Sequence, residues 1–166
     1  MATTEVSYLA GGCFWGMEEL IRKIPGVVDM QVGYMGGEIK NATYNLVKTG
    51  TTGHAETVKI VFDPAQLKFE DLLIFFFKIH DPTTSNRQGN DIGTQYRSEI
   101  FYTTDEQKNV AEKIKDRVDK SGAWGKPAAT KIERAGEFWV AEEYHQDYLQ
   151  KNPDGYTCHF IRPVQF

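Results

Sequence analysis

The sequence has 166 residues, 40% of them hydrophobic, and a formal net charge of −4. This length is typical of one domain that buries its own core, so we expect residues 1–166 to form a single domain. The charge is mildly acidic and no block of Lys or Arg occurs, which argues against nucleic acid or a membrane surface as a partner. The longest apolar run, residues 72–77, is far too short to cross a bilayer.

The two cysteines, Cys13 and Cys158, lie near opposite ends of the chain. Two cysteines so far apart do not form a disulfide framework, and they indicate a reducing compartment. The N-terminal residues carry no Lys or Arg before Arg22, so the charged region of a signal peptide is missing. We therefore expect a cytoplasmic location.

Hydrophobic periodicity predicts the elements of the first half of the chain. A strand over 6–9 leads into a helix that begins near Cys13 and ends at Pro25-Gly26, and a second strand covers 27–34. Residues 36–53 have no period and are rich in Gly, Thr and Asn, which is typical of a long loop that is either functional or disordered. A third strand over 55–62 shows clear alternation of apolar residues.

The second half of the chain continues the succession of predicted helices and strands. The predicted elements begin with a helix over 68–80, with a strand as the alternative, a polar loop over 81–98 and a strand over 99–102. They continue with a helix over 106–121 capped by Thr104 or Asp105, a strand over 129–132, with an end at Glu133 as the alternative, and a final helix over 137–149. The order, roughly βαββαβαβα, predicts an α+β fold, a two-layer sandwich of sheet and helices.

The segment Gly11-Gly12-Cys13-Phe14-Trp15-Gly16 places a cysteine at a helix start. Unpaired N–H groups and the positive end of the helix dipole favour a thiolate there, which is the nucleophilic form of cysteine. The alternative is that Cys13 is a small buried hydrophobe. Helical spacing places Phe14 on the face of the helix that packs against the core, and it places Trp15 outside that face. Trp15 is then either a pocket wall or a side chain packed beneath a loop.

Glu56 shares the apolar face of its strand with Val58, Ile60 and Phe62. Burial disfavours the charged carboxylate, so we expect the pKa of Glu56 to be raised and the group to be protonated near neutral pH. A protonated, buried carboxyl group is a candidate general acid. The alternative is a carboxylate at the strand end that pairs with Lys or Arg.

Polar groups in the two long loops are further candidates. Tyr44 lies in the first loop, and Asp91 and Tyr96 lie in the second. Phenol groups can donate hydrogen bonds to a developing oxyanion, although tyrosines in loops have many structural uses. Cys158, in the irregular tail, is either a second thiol able to swing toward Cys13 or an idle cysteine.

The spacing of His and Cys matches no metal-ligand motif, and no phosphate-binding glycine motif is complete. The residues therefore favour a thiol enzyme that works without a cofactor, in which a thiolate is oxidised to a sulfenic acid that condenses with a second thiol. Two other classes stay open on the residues alone. One is a thiol peroxidase, which would consume hydrogen peroxide, and the other is a non-catalytic α+β binding module.

Several motifs resemble those of the type A peptide methionine sulfoxide reductases. They are Gly12-Cys13-Phe14-Trp15-Gly16, Gly33-Tyr34 before Gly36-Gly37, Gly50 with Thr52-Gly53-His54-Ala55-Glu56, residues 90–98 and residues 143–148. They occur in order over nearly the whole chain with compatible spacing. The resemblance implies a ferredoxin-like core with a mixed sheet, and reduction of the S epimer of methionine sulfoxide, free or in proteins, without a metal or organic cofactor.

The resemblance also implies a role for each apolar or acidic candidate. Cys13 is the nucleophile that attacks the sulfoxide sulfur, and Phe14 and Trp15 hold the ε-methyl group. Glu56 protonates the departing oxygen, and Asp91 orders the polar side of the site.

The remaining roles that the resemblance implies concern proton donation and recycling. Tyr44 and Tyr96 assist Glu56 at the sulfoxide oxygen. Cys158 is the resolving cysteine, which forms a disulfide with the Cys13 sulfenic acid, and thioredoxin then reduces that disulfide.

Overall fold

A computed structural model describes residues 3–166. The strands are β1 Glu5–Gly11, β2 Val27–Met35, β3 Ala55–Phe62, β4 Arg87–Gln88, β5 Asp91–Ile92, β6 Ser98–Tyr102, β7 Lys131–Arg134 and β8 Trp139–Val140. The α-helices are α1 Phe14–Arg22, α2 Tyr44–Val47, α3 Phe69–Ile79, α4 Asp105–Ser121 and α5 Tyr148–Lys151, with 3-10 turns at Thr94–Tyr96 and Glu143–His145. Across residues 3–166, each helix is too short or too polar to cross a bilayer.

Six strands form one mixed sheet in the order β7-β6-β1-β3-β2-β8. β1 lies antiparallel to β3 and β6, and β2 lies antiparallel to β3 and β8, whereas β6 and β7 run parallel. β4 and β5 form a separate hairpin. Helices α1 and α4 pack against strands of the sheet, and α3 packs against α4. This arrangement confirms the predicted α+β fold.

The core forms where the apolar faces of sheet and helices meet. On β3, Val58, Ile60 and Phe62 are completely buried, as the alternation predicts. The segment predicted as a helix with a strand alternative is the helix α3, and it buries residues on more than one side. Each large apolar side chain of this kind contributes about 1.5–3 kcal/mol relative to exposure. Thr104 caps α4 by accepting a hydrogen bond from the Gln107 N–H at 3.1 Å.

The final helix predicted over 137–149 is wrong. This part of the chain forms β8, the 3-10 turn Glu143–His145 and only the beginning of α5. We refer to residues 139–148 as the strap, because they lie along the edge of β2 and form hydrogen bonds with side chains of α1.

Hydrogen bonds to β2 explain why the strap is not helical. The Ala141 N–H donates to the Val32 carbonyl at 2.9 Å. The Gln146 side chain accepts from the Val32 N–H and donates to the Val32 carbonyl, both at 2.9 Å. Asp147 adopts a left-handed backbone conformation with φ 55°, which interrupts any helix through this point. Hydrogen bonds to β2, which is distant in sequence, thus override the local helical periodicity of the strap.

Replacing Gln146 with Leu is expected to lower the free energy of unfolding by about 1–3 kcal/mol, because the buried Val32 N–H loses its acceptor. Gln150→Leu is the matched control, since Gln150 is exposed on α5 and its change should lie within about 0.5 kcal/mol of the wild type. Urea denaturation of both variants measures the difference. Equal stability of the two variants would contradict this account of the strap.

Candidate active site

One cavity of about 90 Å³ gathers the candidate residues from distant parts of the chain. Its walls are Cys13, Phe14, Trp15, Tyr44, Glu56, Asp91, Tyr96 and Tyr156. The structure therefore brings together all seven residues predicted for catalysis or substrate binding, and adds Tyr156. The volume is far below the roughly 300–1,000 Å³ of pockets for drug-sized ligands, so the cavity suits the end of a side chain.

Cys13 occupies the N-cap position of α1, as the sequence predicts. Gly12 turns the chain from β1 into the helix with φ 99°, a conformation that glycine adopts readily. Burial and the charge of Glu56 raise the pKa of the Cys13 thiol, whereas the Trp15 N–H lowers it. The resting group is therefore a thiol. The thiolate expected from the helix dipole is not favoured, because the loss of solvation outweighs the dipole here.

Glu56 is 2% exposed, and its Oε1 accepts a hydrogen bond from the Phe14 N–H at 3.2 Å. Burial raises the pKa of Glu56 to about 8, although the Phe14 N–H opposes this shift, and the charge of Asp91 adds to it. Glu56 is thus protonated at neutral pH, as predicted. The alternative of a strand-end ion pair is wrong, since no Lys or Arg in residues 3–166 forms an ion pair with it.

The aromatic wall consists of Phe14 and Trp15. Phe14 is 1% exposed and packs in the core against Tyr34, yet its ring also lines the cavity, so core position and pocket wall are compatible. Trp15 stacks on Tyr148 with 3.7 Å between ring centroids. Its indole N–H donates to His145 Nδ1 at 2.9 Å. Two fixed faces thus create an apolar slot beside the thiol.

The polar side of the cavity carries Tyr44, Tyr96 and Asp91, each half-buried. Burial raises the pKa of both phenols, so they remain hydrogen-bond donors across the neutral range. Asp91 accepts a hydrogen bond from the Tyr156 hydroxyl at 3.1 Å. Burial raises the pKa of Asp91, and this hydrogen bond lowers it. The cavity lining thus combines hydrogen-bond donors with aromatic rings.

Cys158 lies beside the cavity and not in its wall. Its Sγ is 4.0 Å from Asp91 Oδ2 and 3.9 Å from His159 Nδ1. Burial raises the pKa of the Cys158 thiol, and the Tyr156 hydroxyl lowers it. Both cysteines are free thiols in this structure.

Three further residues support the site, although the sequence predicts a role for none of them. Tyr156 precedes Cys158 in a tail without periodicity, and only its proximity to that cysteine was a signal. His145 lies behind the cavity, 1% exposed, and accepts the hydrogen bond from Trp15. Glu142 accepts hydrogen bonds from the Tyr34 hydroxyl and the backbone N–H of Tyr44, both at 2.9 Å. His145 and Glu142 belong to the strap, where the sequence predicts a helix. Their contacts with the site were therefore not predicted.

Within residues 3–166, no group of three or more His, Cys, Asp or Glu side chains is arranged to hold a metal ion. The Cys13 thiol and the Glu56 carboxyl group line the same small cavity, which suits the end of a side chain. Such an arrangement is typical of thiol-dependent enzymes that act on a small polar group.

Comparison with known proteins identifies which enzymes share this arrangement. The family model for peptide methionine sulfoxide reductase matches residues 5–165. Peptide methionine sulfoxide reductase MsrA 1 of Mesorhizobium japonicum is 58% identical over 164 residues, which cover 98% of this chain and 93% of that protein.

Solved structures agree with this match. The crystal structure of Mxr1 from Saccharomyces cerevisiae in reduced form has a TM-score of 0.91 and 43% identity, covering 96% of this chain and 92% of that chain. The structure of Mxr1 in complex with Trx2 has a TM-score of 0.66 and 29% identity, covering 96% and 90%.

The chain belongs to the peptide methionine sulfoxide reductase family, type A. This membership confirms the resemblance seen in the motifs, and with it an oxidoreductase that acts on methionine sulfoxide. It favours this activity over a thiol peroxidase and over a non-catalytic binding module.

Proposed function

We propose that this protein reduces the S epimer of methionine sulfoxide, free or within proteins, to methionine, and so repairs oxidative damage. The observation that carries the proposal is the meeting of the Cys13 thiol and the protonated Glu56 in one small cavity with aromatic walls. Family membership supports the substrate.

In the proposed complex, the ε-methyl group lies in the slot between Phe14 and Trp15. The sulfoxide oxygen then points toward the donors on the polar side, Tyr44, Tyr96 and Glu56. Asp91 orders this side through its hydrogen bond with the Tyr156 hydroxyl. A sulfoxide sulfur carries three different substituents, so holding the methyl group and the oxygen in separate subsites while Cys13 attacks the sulfur selects one epimer over the other.

In the proposed reaction, the Cys13 sulfur attacks the sulfoxide sulfur while the Glu56 proton moves to the sulfoxide oxygen. The thiol proton of Cys13 replaces the proton that Glu56 has given up. The attack forms a bond between the Cys13 sulfur and the substrate sulfur. The protonated oxygen then passes to the Cys13 sulfur: the S–O bond of the substrate breaks, an S–O bond to Cys13 forms and the bond between the two sulfurs breaks, so methionine leaves and Cys13 becomes a sulfenic acid. Two electrons pass from the cysteine sulfur to the substrate sulfur.

Incubating the protein with each sulfoxide epimer and dithiothreitol tests this proposal. We expect the S epimer to be consumed and the R epimer to remain, because only one epimer directs its oxygen to Glu56 with its methyl group in the slot. No loss of the S epimer would refute the proposed function. Rapid consumption of hydrogen peroxide without sulfoxide reduction would indicate a thiol peroxidase instead.

We further propose that Cys158 regenerates Cys13. Its position 4.0 Å from Asp91, at the border of the cavity, supports this role. The Cys158 thiol condenses with the sulfenic acid to give a Cys13–Cys158 disulfide and water. Thioredoxin is the proposed reductant of this disulfide, supported by the structural similarity to Mxr1 in its complex with Trx2.

Replacing Cys158 with Ser is expected to stop thioredoxin-dependent turnover after one methionine per protein molecule. Activity with dithiothreitol should persist, because a small thiol can enter the cavity and react with the sulfenic acid directly. Thiol counting with peptide mapping of the oxidised wild type should find both cysteines blocked. A free Cys158 in that sample would contradict the resolving role.

We also propose that residues 1–166 act as one domain in the cytoplasm. Six strands, the first beginning at residue 5 and the last ending at residue 140, share one sheet, which supports a single folding unit. The cysteine content supports a reducing compartment. A single cooperative unfolding transition and recovery in the cytoplasmic fraction are the expected results.

A further inference from the structure

His159 differs from its neighbours in the irregular tail that follows α5. Its side chain is 6% exposed, whereas Tyr156, Phe160 and Ile161 on either side are 44%, 57% and 56% exposed. The residue directly follows Cys158, and the reduction of methionine sulfoxide does not use it. A buried polar ring in an otherwise exposed segment requires specific partners.

The imidazole of His159 has such partners near the start of α1. Nε2 lies 2.7 Å from the Gly11 carbonyl oxygen. A carbonyl oxygen can only accept, so Nε2 carries the proton and Nδ1 presents its lone pair. That lone pair faces the Cys158 thiol, with Sγ 3.9 Å from Nδ1. Burial lowers the pKa of His159 to about 4, so this neutral tautomer persists at physiological pH.

The ring packs against the backbone on both sides of Cys13. A Cβ atom at Gly16 would lie 2.5 Å from His159 Nδ1 and closer still to Thr157 Oγ1. A Cβ atom at Gly12 would lie 3.3 Å from His159 Nε2. Glycine inside a helix is destabilising, and at Gly16 it leaves the space that the tail occupies. The glycines around the nucleophile thus form the seat for His159.

A second contact fixes the tail just beyond this seat. The Arg162 N–H donates to the Lys78 carbonyl of α3 at 3.0 Å. Cys158 therefore lies beside an anchored residue, with its thiol directed to Asp91 in the reduced protein. The contacts of His159 and Arg162 limit how far Cys158 can move, so its approach to Cys13 does not depend on a search by a free chain end.

We propose that His159 is a positioning residue for the recycling step, holding the tail on the start of α1 so that Cys158 reaches the Cys13 sulfenic acid. This inference rests on the proposed function. In the step, the Cys158 sulfur bonds to the Cys13 sulfur and the Cys13 S–O bond breaks. The hydroxyl group leaves with the Cys158 proton as water, and the sulfenic acid is the oxidant.

The test compares His159→Phe, which keeps a ring without the hydrogen bond, with His159→Gln, which keeps a donor for the Gly11 carbonyl. Reduced protein receives one equivalent of methionine S-sulfoxide without a reductant, and samples are quenched for methionine and for free thiols. In His159→Phe, methionine should form at the wild-type rate while disulfide formation slows about 10- to 100-fold, the cost of misplacing a reacting group. His159→Gln should restore most of the disulfide rate.

Cys158→Ser is the control that forms no intramolecular disulfide. Disulfide formation at the wild-type rate in His159→Phe, or equal slowing of methionine and disulfide formation, would overturn the positioning role. His159→Gln as slow as His159→Phe would overturn the part played by the hydrogen bond to Gly11.

Gly16→Ala gives an independent test that leaves His159 in place and covers the case in which His159→Phe does not fold. The added methyl group displaces the tail from its seat, so the disulfide step alone should slow. A wild-type disulfide rate in Gly16→Ala would overturn the inference. Wild-type protein that fails to reduce the S-sulfoxide refutes the proposed function itself, so the two failures are distinguishable.

Discussion

Replacing Cys13 with Ser is expected to reduce methionine formation from the S epimer by at least about 10³-fold, the scale seen when a catalytic nucleophile is removed. A serine hydroxyl is a poor nucleophile toward sulfur and cannot become a sulfenic acid. The small change in volume leaves the cavity nearly intact, so the loss should appear in kcat more than in KM. The measurement is the initial rate with dithiothreitol as reductant.

Cys158→Ser is the matched control, because it makes the same replacement at the other cysteine. This variant should keep its activity with dithiothreitol, as the external thiol takes over the recycling. Cys13→Ser protein that is folded and retains more than about 1% of the activity would contradict the nucleophile assignment.

Replacing Glu56 with Ala is expected to lower kcat/KM by about 10²- to 10⁴-fold, the usual contribution of general acid catalysis. Glu56→Gln should retain much of the activity. Its amide can donate a hydrogen bond to the sulfoxide oxygen, and its carbonyl oxygen can still accept from the Phe14 N–H. A glutamine variant as inactive as Cys13→Ser would show that the ionisation of Glu56 is essential.

The pH dependence follows from the pKa of Glu56, which burial raises to about 8. Below this pH the carboxyl group holds its proton, and above it the proton donor is lost, so wild-type activity should fall as the pH rises through about 8. Glu56→Gln should lack this fall. Methionine formation in a single turnover is the suitable measurement, because it avoids the ionisation of an external thiol. A wild-type rate that rises through this range would contradict the assignment.

The regular part of the fold could be predicted from the sequence because local pattern and tertiary packing agree there. The alternation along β3 and the helical spacing along α1 both point to the faces that are buried. The strand predicted at 129–132 is displaced to Lys131–Arg134, since its bounds depend on pairing with β6. The strap could not be predicted, because the carbonyl and N–H of Val32 that hold it are more than 100 residues away in sequence.

The short elements within the two long loops could not be predicted from the sequence either. Residues 36–53 contain the short helix α2, and residues 81–98 contain the β4–β5 hairpin and the turn Thr94–Tyr96. None of these elements is long enough to leave a periodic pattern. Their side chains nevertheless meet at one cavity, because the ends of β1, β3 and β6 bring the loops together.

The candidate site was predictable where a residue type is unusual for its position. A carboxyl group on the apolar face of a strand and a cysteine at a helix start are such cases. Helical periodicity placed Phe14 in the core, and the structure shows a ring that serves core and cavity together. The protonation state of Cys13 was harder to predict from the sequence, because the pKa of the thiol depends on how completely the folded chain removes water from it.

The central claim, that Cys13 takes the oxygen from methionine S-sulfoxide, is tested most directly by a single turnover of Cys158→Ser without a reductant. The account predicts one equivalent of methionine per protein molecule, together with a dimedone adduct that peptide mapping locates at Cys13. Methionine formed without modification of Cys13, or no methionine from the S epimer, would contradict it.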